Sequence, residues 1–212
     1  MRSFLLGAVA AIGLCPAIAS AAVTINMDST SMPSPATDQT IRVEVFGNDV
    51  TSEDEHLNAY TIAVQGAGSS GGKAFGDATG VRFVVPAGSF GTAGRPTAHP
   101  YVFKNLDTIP PIENFSSTTS KLQFASTAVE QTDEANITDT LNGFIAMPIL
   151  IPAGTAPGVY TLTVVTTSLA GNGAPIVSTP GVPATITITP EPASLGLVVI
   201  GGLFALRRRR LA

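Results

Sequence analysis

The densest group of chemically capable side chains runs from Asn48 to His56, where Asp49, Glu53, Asp54 and Glu55 precede the histidine. Hard cations such as calcium take several carboxylate or carbonyl oxygens from one loop, so this stretch is a candidate calcium site, with Asp28 or Asp77 joining if the fold brings them near. Its spacing follows no EF-hand, and the alternative is a solvated turn between two strands. Asp133, Glu134 and Asp139 form a second acidic group. The only other histidine, His99, stands beside Pro100, Tyr101 and Phe103. Flat rings stack on sugar faces, so Tyr101 and Phe103 are the candidate carbohydrate platform, while Tyr60 and Tyr160 fall in the apolar phase of strands. The chain has no nucleophile elbow, no paired-histidine zinc helix and no phosphate loop, and its one cysteine is Cys15. A glycosidase pair of carboxylates is defined by tertiary distance and stays open.

The elements that must position these groups are strands. Ile41, Val43 and Val45 alternate with Arg42, Glu44 and Phe46, a period of two with one buried face. The same reasoning predicts strands over Val23 to Met27, Leu57 to Gln65, Val81 to Val85, Lys121 to Glu130, Gly143 to Leu150, Val159 to Thr166 and Ala184 to Thr189. Proline- and glycine-rich connections separate them, and those at 66–80 and 86–100 are long enough to be the default place for a partner. A helix over Ala125 to Leu141 is the minor alternative, weakened by its β-branched residues. The whole reads as an all-β chain folded as a single β-sandwich, whether jelly-roll, cohesin-like or immunoglobulin-like.

The two ends read differently. Residues 1–21 open with Arg2, continue as an apolar run from Phe4 to Leu14, and close on small residues. That is a secretory signal peptide, with cleavage near Ala19, Ala21 and Ala22. Leu14 before Cys15 argues against a lipidation site. At the other end, Pro190, Glu191 and Pro192 precede 14 uncharged residues, Ala193 to Leu206, and then Arg207, Arg208, Arg209 and Arg210. At about 1.5 Å per residue such a helix covers roughly 21 Å of an approximately 30 Å hydrocarbon layer. The apolar run enters a bilayer, the arginines stay behind, and the short span predicts a transient stop.

Those 23 residues, 190–212, resemble the PEP-CTERM sorting signal of Gram-negative bacteria that make extracellular polysaccharide. The resemblance implies export, processing near the triplet by an exosortase-type transpeptidase, and delivery to the cell surface or exopolysaccharide matrix. A second resemblance lies within residues 22–189. Ile145 to Val165, reading IAMPILIPAGTAPGVYTLTVV, is similar to the segment of cohesin-like sandwiches in which a strand enters a proline–glycine turn and returns as the next strand. The stretches IRVEVFGND and LNAYTIAVQG resemble the opening strands of that fold.

Charge narrows the partners. The 212-residue chain is −4 overall, but residues 22–189 hold 14 acidic and 6 basic residues, a net −8. Such a domain repels phosphate backbones, which excludes nucleic acid as the natural partner, and an anionic polysaccharide would need a bridging cation. With Cys15 lost in the signal peptide, no disulfide remains, and stability must come from burial and ladder hydrogen bonds. The expected function is that of an exported structural or adhesive protein, not an enzyme. The alternatives are an extracellular polysaccharide-binding module and, third, a secreted glycoside hydrolase. Expected partners are the export machinery, the exosortase, a membrane held transiently, and extracellular polysaccharide. Asn114 and Asn136 open formal glycosylation sequons.

Overall fold

The computed structural model describes residues 23–49, 55–104, 112–128, 135–137, 141–171 and 174–191. The signal-peptide and sorting-tail segments, with Ala19, Ala21, Ala22, Pro192 and Arg207 to Arg210, lie outside the described residues, as do Glu53, Asp54, Asp133, Glu134 and Asp139. Among the described residues no helix is long and apolar enough to cross a membrane.

The strands in chain order are β1 (Val23–Met27), β2 (Thr30–Pro33), β3 (Gln39–Asp49), β4 (Glu55–Leu57), β5 (Ala59–Ala67), β6 (Ser69–Ser70), β7 (Lys73–Ala74), β8 (Arg82–Phe83) and β9 (Ser89–Gly91). They continue as β10 (Ile112–Asn114), β11 (Lys121–Thr127), β12 (Ala135–Ile137), β13 (Asn142–Ile151), β14 (Gly158–Gly171), β15 (Ala174–Ile176), β16 (Ser178–Pro180) and β17 (Ala184–Thr189). A five-stranded sheet has the order β16-β1-β3-β13-β8. A larger sheet runs β2-β17-β14-β5-β11-β10-β9, with β15 added beside β14. The expected helix over Ala125 to Leu141 is absent where the chain is described: Lys121–Thr127 and Ala135–Ile137 are strands.

Alternation explains the core. In β17 Ala184, Ile186 and Ile188 are buried while the threonines between them are partly exposed, and in β14 Tyr160, Leu162 and Val164 take the inner phase. Residues from both sheets, including Ile25, Val45, Ile62, Phe124, Phe144 and Ile149, form one continuous cluster. Phe144 stands edge-on to Tyr60 with centroids 5.0 Å apart, joining β13 of one sheet to β5 of the other. Each fully buried side chain of this size contributes about 1.5–3 kcal/mol, which is what a domain without disulfides relies on.

Candidate functional site

The long connection after β9 is anchored, not loose. It makes a single 3-10 turn at Thr92–Gly94 and then crosses β3. There the Glu44 carboxylate accepts the main-chain N–H groups of Thr97 at 2.6 Å, Ala98 at 2.9 Å and His99 at 2.9 Å, along with the Thr97 hydroxyl at 3.2 Å. Glu44 stands in the polar phase of β3, where solvent was expected, yet the loop buries it to 6 % exposure. Burial alone would raise its pKa, but the hydrogen bonds from Ala98, Thr97 and His99 prevail and hold the carboxyl below its ordinary range. A second tether is Arg42, whose Nη2 donates to the Ala93 carbonyl.

Beyond His99 the loop turns inward around the edge of β13. Gly143 N–H donates to the Pro100 carbonyl at 2.8 Å, and Val102 N–H donates to the Gly143 carbonyl at 2.9 Å. A Cβ on Gly143 would stand 2.6 Å from Pro96, so only glycine permits this approach. Tyr101 and Phe103 then enter the core at 5 % and 0 % exposure. Phe103 stacks on Tyr60 at 5.8 Å, the Tyr101 hydroxyl lies 3.2 Å from Ser126 Oγ, and the Arg95 guanidinium covers the Tyr101 ring at 5.1 Å. The sugar platform expected of Tyr101 and Phe103 is therefore corrected: both rings are core.

On the solvent side of this anchor, His99 packs on Phe46 with ring centroids 4.0 Å apart. Its Nε2 lies 3.2 Å from Oδ2 and 3.4 Å from Oδ1 of Asp28, which follows β1. Asp28, Glu44 and His99 are the group of potential metal ligands found among the described residues, with one donor atom of each within 4.8 Å of the others. Composition suggested Asp28 only as an accessory to the 48–55 stretch, and nothing marked Glu44, because the loop that gathers the three is irregular.

Of the expected calcium residues, Asp49 and Glu55 are described, and neither belongs to this group. Asp49 ends β3 opposite Val23 and is buried at 4 %, and Glu55 begins β4 opposite Ile137. Asp77 accepts from Ala74 N–H in the turn that follows β7. His56 is exposed on β4, opposite Asn136. The Asn114 amide donates to the Pro86 carbonyl. Pro190 and Glu191 are exposed immediately after β17.

The second feature is the outer face of the larger sheet. Register sets Thr185, Thr161 and Ala67 in one row and Thr163, Gln65 and Lys121 in another. A further row holds Ser168, Thr61, Ala125 and Glu113, and another Ala170, Ala59 and Thr127. Across these rows the charged residues are Lys121 and Glu113 alone, on a domain whose net charge is strongly negative. A groove of about 240 Å³ opens there between Ala59, Thr61, Ala125, Thr127 and Glu113. Small residues let another surface approach the backbone closely, and threonine hydroxyls both donate and accept at its edge.

No protein-family model matches the sequence, and no curated protein matches it. Solved structures do share the fold. A chain of a type I cohesin–dockerin complex from Clostridium thermocellum (Coh-OlpC–Doc435) is 10 % identical, with a TM-score of 0.54 over 81 % of this chain and 96 % of that one. The seventh ScaB type I cohesin from Pseudobacteroides cellulosolvens is 15 % identical, with a TM-score of 0.51 over 80 % of this chain and 94 % of that one. A second Clostridium thermocellum complex, Coh-OlpA–Doc918, gives 9 % identity and a TM-score of 0.51 over 79 % and 99 %. The β-sandwich expected from the strand pattern is thus observed, and it is cohesin-like.

Proposed function

We propose that this chain is an exported structural or adhesive module of the cell surface or exopolysaccharide matrix, engaging a protein partner through the outer face of its larger sheet. The observation that carries this reading is the charge-poor face with its groove between β5 and β11. Charge is depleted at the centres of protein interfaces, and here it is depleted from one face of an otherwise acidic domain. The likeness to cohesins crystallised with dockerins supports a protein as the partner class. Pro190, Glu191 and Pro192, the apolar run and the four arginines support sorting by an exosortase-type transpeptidase after passage through the export machinery. In this reading the membrane holds the precursor only transiently.

Polysaccharide binding is the second reading, and the buried state of Tyr101 and Phe103 removes the platform on which it stood. The test is to express the chain in its host, fractionate the cells and weigh the intact protein. Cell-surface recovery of a species lacking both ends is expected, with retention lost when Thr61 and Thr163 are changed to Arg and with uncleaved, membrane-associated precursor accumulating for Glu191→Ala. Unchanged retention of the double-Arg variant would remove the sheet face from the account. Normal processing of Glu191→Ala would remove the sorting step.

A further inference from the structure

We propose that Asp28 and His99 bind one divalent transition-metal ion of the zinc class. Glu44 holds the main chain at His99 in place. A charge-assisted hydrogen bond between an imidazole and a carboxylate closes to about 2.7–2.9 Å. His99 Nε2 stands within hydrogen-bonding reach of both Asp28 oxygens, at 3.2 and 3.4 Å, longer than that and nearly equidistant. Two donors sharing a tetrahedral zinc at about 2.0–2.2 Å are separated by roughly 3.3 Å, the spacing of an ion's coordination edge.

The group is also preorganised: Asp28 after β1, Glu44 on β3 and His99 in the loop come from three separate segments, and the Glu44 and His99 segments are held to each other by main-chain hydrogen bonds. The His99 ring is seated on Phe46 at 4.0 Å, and its main-chain N–H donates to Glu44 Oε2 at 2.9 Å. The Phe46 ring and the tethered main chain together fix where the imidazole stands. Glu44 already accepts main-chain donors with both oxygens, so it supplies fixed negative charge and not a coordination bond.

Charge balance also favours an ion. Among the described residues, neither Asp28 nor Glu44 has a lysine or arginine partner, and His99 is the basic group they face. A divalent cation neutralises both carboxylates at once. Imidazole nitrogen with carboxylate oxygen favours zinc, cobalt, nickel or copper over calcium. The side chain of Asp28 is 43 % exposed, which leaves the ion an entry path and room for water at the remaining positions. An ion there would tie the end of β1 to the loop that plugs the sandwich.

The test uses the full chain stripped with a chelator and titrated with Zn²⁺ by calorimetry and with Co²⁺ by visible absorption. One equivalent is expected, with affinity lowered about tenfold or more by His99→Gln and by Asp28→Asn, and left unchanged by His56→Gln. Asp28 is partly exposed, so its variant keeps the fold if the histidine variant does not. No uptake at millimolar Zn²⁺, or uptake that both variants leave unaltered, would overturn the site. So would saturation by Ca²⁺ that Zn²⁺ fails to displace.

Discussion

Glu44 carries the greatest load of any single polar side chain in the described chain. Its oxygens answer three consecutive main-chain donors from the plug loop. Glu44→Ala would orphan them and should cost on the order of 3 kcal/mol, read by urea denaturation at neutral pH. Glu44→Gln keeps one acceptor and should cost less. The pH dependence follows from the direction of the shift. Because the folded pKa lies below the ordinary 4.5, the contribution is present above the unfolded carboxylate range and disappears as pH falls through the lowered folded value. Denaturation midpoints across an acid series should decline in the parent, and the Glu44→Gln variant should lose most of that acid limb. Tyr60 offers a neutral counterpart: its buried hydroxyl donates to the Phe144 carbonyl at 2.7 Å. Tyr60→Phe should cost about 1–2 kcal/mol by the same measurement.

At the scale of elements, the regular strands were legible and the irregular plug was not. Val23–Met27 and Ala184–Thr189 stand where alternation put them, since a strand with one buried face writes its period into the sequence. The expected strand Val159 to Thr166 extends to Gly171, because a bulge between Val164 and Thr166 shifts the phase and breaks the period. Short strands such as β2 and β9 are too brief to show a period at all. The connection at 86–100 was expected to be a place for a partner from its length and its glycine and proline content. Its anchoring comes from Glu44 and Gly143, both remote in sequence, and no local pattern announces such tethers. The same remoteness hid the gathering of Asp28, Glu44 and His99. Gly143→Ala tests the tether directly: a methyl 2.6 Å from Pro96 and 2.9 Å from the His99 carbonyl must push the loop off β13. A loss of about 2 kcal/mol is expected, with faster amide exchange from His99 to Phe103 while exchange in β5 and β14 stays slow.

For the whole molecule, the distribution of charge matters more than its sum. Among the described residues, Glu44 and Asp49 lie on the five-stranded sheet and Asp28, Asp38 and Asp77 lie outside the strands, whereas Glu113 is the one acidic residue in the rows of the larger sheet. Binding through such a face depends on shape and hydrogen bonding, so retention at the cell surface should survive a several-fold rise in salt. Elution by moderate salt would point instead to the acidic loops. Thr61→Arg with Thr163→Arg should shift stability by no more than about 0.5 kcal/mol, since both are surface positions, and should abolish retention.

The placement of β17 has a mechanical consequence. It lies between antiparallel β14 and parallel β2, and the chain continues from Thr189 directly into Pro190 and Glu191. A pull applied beyond Thr189 runs along the strand axis, across the hydrogen bonds of both ladders, so the bonds on each side share the force and must rupture together instead of peeling in turn. A domain leashed by that end would resist tearing in flow, and single-molecule extension from the C-terminal side should record one abrupt, high-force event in which β17 is the element that yields.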